Sequence, residues 1–210
     1  MQRYVLQTNS IELHEAFNVK FELENMFDPT YNAAPGQILP ILKCNRQSNN
    51  IELAIWDAQT PHIANDQALK PRQQHLIAAP CIVPISGFYV WNQVTKGSLP
   101  FYVRIHSQPI IGIAGFITQQ DEFYKRFTIL IRDANVLLQP INKSMPAILE
   151  SNQYENWCCG SASDIIRSGF EHTLMMPDMT IFRVPDLVND LDNNGPELLQ
   201  PIPKVRDEDD

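Results

Sequence analysis

The sequence has no long apolar segment and little glycine. Its longest apolar stretch, residues 110–117, is far too short to cross a bilayer core of about 30 Å, so we expect no membrane-spanning segment. No apolar stretch follows the opening Met-Gln-Arg-Tyr, which predicts that a secretory signal peptide is absent and that the protein is cytoplasmic. Only 8 residues are glycine against 16 prolines, a ratio typical of rigid turns rather than flexible linkers.

Cysteine is also scarce, and its spacing is not that of a metal site. The 4 cysteines include no C-x-x-C pair and have no histidine nearby at metal-ligand spacing. Cys158 and Cys159 leave two interpretations, a vicinal disulfide or two reduced thiols, and the second is expected in a cytosolic protein. The 5 histidines show no Ser/His/Asp or Cys/His spacing, and the chain has no glycine-rich phosphate loop. We therefore expect no metal and no cofactor.

Basic residues are outnumbered, with 16 Lys and Arg against 24 Asp and Glu and a net charge of −8. Half of that charge lies in the last four residues, Asp207-Glu-Asp-Asp210. Proteins that bind nucleic acid usually present a basic face, because phosphate contacts supply much of the affinity. The charge balance therefore weakens the case for a DNA partner, although it does not exclude a local basic groove. Lys70, Arg72 and His75 form a weak basic cluster that is more typical of a solvated loop.

The pattern of apolar residues predicts many strands and few helices. Asn9 followed by Glu12 is typical of a capping box, and it predicts a helix that runs to about Asn25. Shorter helices are expected at 152–157 and 162–167. Predicted strands lie at 3–6, 38–43, 51–56, 81–85, 88–91, 101–105, 110–118, 127–132 and 179–184. Without βαβ alternation, this predicts a single α+β domain at 1–203 with a mostly antiparallel, barrel-like sheet, followed by a disordered acidic tail at 204–210.

Four short segments, taken in order along the chain, carry most of the information about similarity to a protein family. They are Arg3-Tyr-Val-Leu6, Tyr31-Asn-Ala-Ala-Pro-Gly36, Gly87-Phe-Tyr-Val-Trp91 and Asn193-Asn-Gly-Pro-Glu-Leu-Leu-Gln-Pro201. Together they resemble the SOS response-associated peptidase (SRAP) family, whose proteins crosslink to abasic DNA. The resemblance covers nearly the whole chain and implies the SRAP fold. Fold alone does not establish function.

The resemblance implies an unusual chemistry at the N-terminus. The family begins Met-Cys-Gly-Arg, loses its Met1, and closes a thiazolidine ring on the aldehyde of an abasic site in single-stranded DNA. The ring needs a thiol and an α-amine on one residue, because sulfur and nitrogen must be two carbons apart. In the family, a glutamate, an asparagine and a histidine position the sugar and move protons.

This sequence departs from the family at the cysteine. Gln2 occupies the cysteine's neighbourhood if one residue is deleted before Arg3. A carboxamide is neither a nucleophile nor an acid–base group near neutrality. Glutamine is also bulky, so Met1 is expected to stay on the chain. A retained Met1 amine can still form a reversible imine with an aldehyde, but it cannot close the thiazolidine.

The other three family positions have also changed. Val90 stands where the family has its glutamate, and valine cannot transfer a proton. Strand alternation places Val90 on the same face as Phe88, so this wall of the site is expected to be apolar. Asn142 stands at the histidine, and we expect a turn residue there more than a binding residue. Ala64 stands at the asparagine, unless a one-residue slip puts Asn65 there.

Some cleft positions match the family better, while some charges are lost. Met1, Arg3, Tyr31 and Asn32 are the retained cleft candidates. Asp192 stands where the family often has Lys or Arg, so positive charge is lost at a position where DNA phosphate would lie.

Three hypotheses for function follow from these positions. The first is a SRAP-fold pseudoenzyme that cannot form the crosslink and keeps a binding role. The alternative is a DNA-damage factor that binds abasic or single-stranded DNA without the cysteine, through the Met1 amine. The third is an interaction protein whose vacated, partly apolar cleft takes a peptide or a small ligand.

Overall fold

The computed structural model describes residues 3–19, 27–44, 49–59, 61–63, 69, 71–95, 97–120, 124–160, 162–168, 170 and 178–203. Their strands are β1 Tyr4–Leu6, β2 Thr30–Ala33, β3 Ile38–Cys44, β4 Asn49–Trp56, β5 His62–Ile63, β6 Pro80–Ile85, β7 Gly87–Val94, β8 Gly97–Ile105, β9 Ile111–Gln120, β10 Lys125–Ile129, β11 Ile131–Asp133, β12 Ser144–Pro146, β13 Ile148–Leu149 and β14 Met179–Arg183. Their α-helices are α1 Ser10–Phe17, α2 Tyr154–Cys158 and α3 Ala162–Ser168. Short 3₁₀ helices lie at Pro71–Ala78, Ser151–Gln153, Asp186–Asn189 and Pro196–Leu199.

The first helix begins as predicted but ends early. The Asn9 side chain accepts hydrogen bonds from two backbone N–H groups of the first turn, and the Glu12 carboxylate accepts one from the Asn9 N–H, which confirms the capping box. The prediction that this helix runs to about Asn25 is wrong, because α1 ends at Phe17. Asn18 is left-handed with φ 48°, a conformation that an α-helix cannot continue through. Asn25 itself lies outside the described residues.

Five strands close into a barrel, which confirms the predicted barrel-like sheet. Their order is β10-β4-β3-β6-β9, and β10 returns to pair with β9. The contacts are antiparallel except between β10 and β4, which run parallel. The predicted strand at 127–132 is two strands, since Leu130 separates β10 from β11 and hydrogen-bonds Ala114 and Ala147 instead. The strands at 144–149 were not predicted.

A second sheet, of order β14-β8-β7-β1-β2, packs one of its faces against the barrel. Tyr4, Phe88 and Val103 from this face join the barrel's apolar residues in one buried cluster. The opposite face carries a smaller cluster around Tyr89 and Tyr102, which the C-terminal segment covers. A small third sheet has the order β12-β11-β5. These layers form a single α+β domain, mostly antiparallel, as the sequence predicted.

The N-terminal strand lies inside the second sheet rather than at its edge. β1 pairs with β2 on one side and with β7 on the other, so it positions Arg3 directly beside the strand that carries Val90.

Among the described residues, no helix is both long and apolar enough to cross a membrane. The predicted acidic tail at 204–210 lies outside the described part of the chain.

Candidate functional site

A groove of about 720 Å³ lies along β7, between the loop that leads into β12 and the 3₁₀ helix Asp186–Asn189. It brings together three of the positions that the sequence singled out, Arg3, Val90 and Asn142. The described residues that line it are Arg3, Phe88, Tyr89, Val90, Trp91, Asn92, Gln93, Ser98, Gln139, Pro140, Ile141, Asn142, Lys143, Ser144, Met145, Pro146 and Asn189. Of the other five positions, Tyr31 and Asn32 do not line it, and Met1, Gln2 and Ala64 lie outside the described residues.

Val90 forms an apolar wall of this groove. It shares a strand face with Phe88, two residues before it, and both belong to the main buried cluster. Val90 is 5% exposed, so one edge of its side chain reaches the groove. Tyr89 and Trp91 alternate with them and belong to the cluster on the opposite face. The strand alternation expected from the sequence is therefore present.

Asn142 is a turn residue in this structure. Its Oδ1 accepts a hydrogen bond from the Ser144 backbone N–H at 3.0 Å, an Asx turn that leads the chain into β12. Its Nδ2 donates to the Trp91 carbonyl at 3.4 Å, which ties the turn to β7. Both amide atoms are engaged, so Asn142 fixes the shape of the groove wall.

Arg3 connects the groove to a buried asparagine. Its Nη1 donates to Asn32 Oδ1 at 2.9 Å and to the Val188 carbonyl at 3.3 Å. Partial burial lowers the pKa of the Arg3 guanidinium, because desolvation disfavours its charged form. Asn32 is 1% exposed and is not among the lining residues, so it reaches the groove only through Arg3.

Asn32 holds the C-terminal segment in place. Its Nδ2 faces the carbonyl oxygens of Val188, Asp190 and Asn193 at 3.2, 3.0 and 3.0 Å. Three acceptors around one nitrogen fix the orientation of the amide, since an oxygen there would face only other oxygens. Asn32 therefore positions the loop that forms one side of the groove.

Tyr31 is held by the same segment and also lies outside the lining. Its backbone N–H donates to Asn194 Oδ1 at 2.7 Å, and its carbonyl accepts from the Tyr89 hydroxyl at 2.8 Å. Asn194 Oδ1 also accepts from the Thr30 hydroxyl and the Asn32 N–H, at 3.1 and 3.0 Å. The Asn-Asn-Gly-Pro-Glu segment thus works as a clasp on β2, a role that the sequence pattern marked but could not explain.

The pairing of Trp91 with Asn189 was missed by sequence reasoning. The indole Nε1 donates to Asn189 Oδ1 at 2.8 Å across 98 residues of chain, and both side chains line the groove.

Charge on the lining comes from Arg3 and Lys143, and no acidic residue is among the described residues there. Within the described part of the chain, no group of histidine, cysteine and acidic residues could hold a metal ion.

A second cleft, of about 910 Å³, lies at the other end of β8. Its lining includes Tyr102, Arg104, His106 and Tyr154, and none of the site positions predicted from the sequence. The groove beside Arg3, Val90 and Asn142 is therefore the candidate site.

Comparison with known proteins supports the sequence resemblance. The model of the family described as SOS response associated peptidase (SRAP) matches residues 2–191. Abasic site processing protein YoqW of Bacillus subtilis is 26% identical over 94% of this chain and 98% of its own length. Abasic site processing protein YobE of the same organism is 24% identical over the same shares of the two chains.

Solved structures show the same fold. A protein from Bacteroides thetaiotaomicron superposes with a TM-score of 0.78 at 18% identity, covering 96% of this chain and all of its own. A phage-related protein from Bordetella bronchiseptica gives a TM-score of 0.67 at 15% identity, over 89% of this chain and 95% of its own. With a family model that matches most of its length, this chain belongs to the SOS response associated peptidase (SRAP) family.

Proposed function

We propose that this protein is a pseudoenzyme of the SRAP family, which does not form the thiazolidine crosslink and uses its groove for binding. One observation carries the proposal. Among the described residues, those that line the groove include no thiol, no carboxylate and no imidazole. Closing the thiazolidine needs a thiol beside an amine, and in the family a carboxylate and an imidazole move the protons of that reaction.

The positions compared with the family support the proposal one by one. Val90 is a buried apolar residue at the place of the glutamate, and it has no proton to transfer. Asn142 at the place of the histidine spends both amide atoms on the turn and on β7. Gln2 and Ala64, at the places of the cysteine and the asparagine, carry no group that replaces the lost chemistry.

The groove keeps what a binding site needs. Its wall is apolar at Val90, which is backed by the buried Phe88, and the side chains of Asn92, Gln93 and Gln139 add hydrogen-bonding amides at its mouth. Concave sites that combine an apolar wall with a few polar groups are the usual binding sites of proteins. Loss of the catalytic groups therefore leaves a cleft that is able to hold a ligand.

The test is a crosslinking assay on a denaturing gel. The protein is incubated with single-stranded DNA that carries one abasic site, with and without borohydride, and we expect no heat-stable adduct without the reductant. The variant Gln2→Cys is the matched control, because it supplies a thiol and a small second residue that permits removal of Met1. An adduct formed by this variant alone shows that the missing cysteine is the cause. A heat-stable, borohydride-independent adduct of the unaltered protein contradicts the proposal.

A second candidate is a DNA-damage factor that binds abasic or single-stranded DNA without the cysteine. It is favoured by the charges of the groove, where Arg3 and Lys143 are not opposed by any acidic residue among the described lining. The names of its relatives YoqW and YobE also point to abasic sites. This candidate predicts salt-dependent binding of single-stranded DNA that Lys143→Gln weakens, and no binding at low salt rules it out.

A further inference from the structure

One side of the groove is bordered by an exposed strip of acidic and leucine residues, which we call the acidic strip (residues 186–192, Asp-Leu-Val-Asn-Asp-Leu-Asp). Its carboxylates at 186, 190 and 192 are all exposed. Leu187 and Leu191 lie four residues apart and are each 50% exposed. Asn189, in the middle of the strip, also lines the groove. The strip and the groove are thus one continuous surface.

The acidic strip is held in place by its one buried side chain and by hydrogen bonds to its backbone and to Asn189. The Val188 side chain is fully buried, and its carbonyl accepts from Arg3 and from Asn32. Asn189 is fixed by the Trp91 indole, and the Leu187 carbonyl accepts from Asn193 Nδ2 at 3.0 Å. A partner therefore meets a preformed surface and loses little affinity to ordering the loop.

The exposed side chains of the acidic strip have no role in covering the core. Val188 and Leu198, not Leu187 or Leu191, cover the outer face of the second sheet. Within the described part of the chain, the ion pairs join other residues, and no lysine or arginine pairs with the carboxylates of the strip. Two leucines presented between three unneutralised carboxylates on a rigid loop are an unpartnered amphipathic surface.

We propose that the acidic strip docks a segment of a partner protein in which Lys or Arg residues alternate with apolar ones. On the strip itself, charge complementarity favours this class of partner, since its three carboxylates repel phosphates and attract ammonium and guanidinium groups. The two leucines supply the apolar contact, and the amides at the groove mouth suit the backbone of an extended chain. This inference rests on the proposed binding role of the groove and names the class of its ligand.

The test measures peptide binding by fluorescence anisotropy with three labelled probes. They are peptides of about twelve residues that alternate Leu with Lys, Ser with Lys, and Leu with Glu, a length that spans a groove and its edge. We expect the Leu-Lys probe to bind about tenfold more tightly than either of the other two, because it alone satisfies both the carboxylates and the leucines.

Matched pairs of variants separate a specific site from general attraction to an acidic protein. Leu187→Ser with Leu191→Ser is expected to weaken the Leu-Lys probe about tenfold, from lost apolar contact. The control changes two exposed isoleucines outside the strip, Ile11→Ser with Ile38→Ser, whose side chains are 62% and 64% exposed. It is expected to leave the affinity for the Leu-Lys probe within about twofold of the unaltered protein.

The second pair tests the charges. Asp190→Asn with Asp192→Asn is expected to weaken the Leu-Lys probe about fivefold and to flatten its salt dependence. The control Glu15→Gln with Glu155→Gln removes the same charge from exposed positions of α1 and α2 and should change little. Equal losses in strip and control variants overturn the proposal, as does tighter binding of a single-stranded oligonucleotide than of the Leu-Lys probe. Neither outcome depends on the crosslinking assay, so the two proposals fail separately.

Discussion

Exchanging one atom of the Asn32 side chain tests the account of how the C-terminal segment is held. Asn32→Asp keeps the shape of the side chain but replaces the amide nitrogen by oxygen. That nitrogen faces the carbonyls of Val188, Asp190 and Asn193 at 3.0 to 3.2 Å in a site that is 1% exposed. The new oxygen repels all three carbonyls and removes the donor that they share, so that Val188 keeps only its contact with Arg3 and Asp190 only its contact with the Asn193 N–H.

The size of the effect follows from these contacts. Each lost hydrogen bond costs about 1 kcal/mol, and a buried carboxylate facing carbonyl oxygens adds a further penalty of a few kcal/mol. The ion pair with Arg3 offsets part of that penalty, since Arg3 Nη1 lies 2.9 Å from Oδ1. We therefore expect the free energy of unfolding to fall by about 3 to 5 kcal/mol, a large share of the 5–15 kcal/mol typical of a domain.

The assay is urea unfolding followed by intrinsic tryptophan fluorescence at neutral pH, where the midpoint and slope give the free energy. Asn189→Asp is the matched control on the same segment. Its Oδ1 is an acceptor for the Trp91 indole, and aspartate keeps that oxygen, so we expect a change below about 0.5 kcal/mol. A loss below about 1 kcal/mol for Asn32→Asp, or equal losses in the two variants, would refute the argument.

Three further predictions concern stability. Asn194→Asp should leave the free energy of unfolding at pH 7 unchanged or raise it by up to about 1 kcal/mol, because Oδ1 accepts three hydrogen bonds that a carboxylate strengthens. The gain should vanish in urea unfolding repeated below about pH 4, where the carboxylate is protonated, and a loss of stability at pH 7 would count against the prediction. Gly87→Ala should lower the unfolding free energy by about 3 kcal/mol in the same urea assay, since the added Cβ lies 2.4 Å from the Tyr102 hydroxyl oxygen and 2.6 Å from the Val103 carbonyl oxygen; a wild-type midpoint would contradict it. Burial raises the pKa of Tyr154 to about 12. Its neutral form therefore stabilises the folded state fully below about pH 10, and this stabilisation is lost as the pH rises towards 12. Ultraviolet titration of Tyr154→Phe should show one late-ionising tyrosine fewer than the unaltered protein.

Local features of the fold were predictable where a short-range pattern determines them. The capping box joins Asn9 to Glu12, three residues apart, and the alternation at Phe88 and Val90 follows from strand geometry. The end of α1 at Asn18 was not predictable in this way, because apolar spacing continued past it. The parallel pairing of β10 with β4 joins segments about 70 residues apart, and no local pattern specifies it.

The same difference between short-range patterns and long-range contacts applies to the candidate site. Val90 and Asn142 were found because flanking residues fix their alignment with a family, and the groove does bring them together with Arg3. Trp91 with Asn189 was missed because neither residue belongs to a motif that needs the other. Asn32 was placed in the cleft by resemblance, whereas its contacts are with three backbone carbonyls of a distant segment. Such contacts carry no sequence signal, since every residue type supplies the same carbonyl.

The clasp between β2 and the C-terminal segment also bears on the order of events during synthesis. Arg3 contacts the Val188 carbonyl, and Asn32 contacts the Asn193 carbonyl, so these contacts form only after residues 188 and 193 have left the ribosome. Until then β1 and β2 lack the segment that covers the outer face of their sheet, and Tyr89 and Tyr102 stay accessible. Chains released by premature termination before residue 188 are therefore expected to expose an aromatic sheet face, a surface that chaperones and proteases recognise.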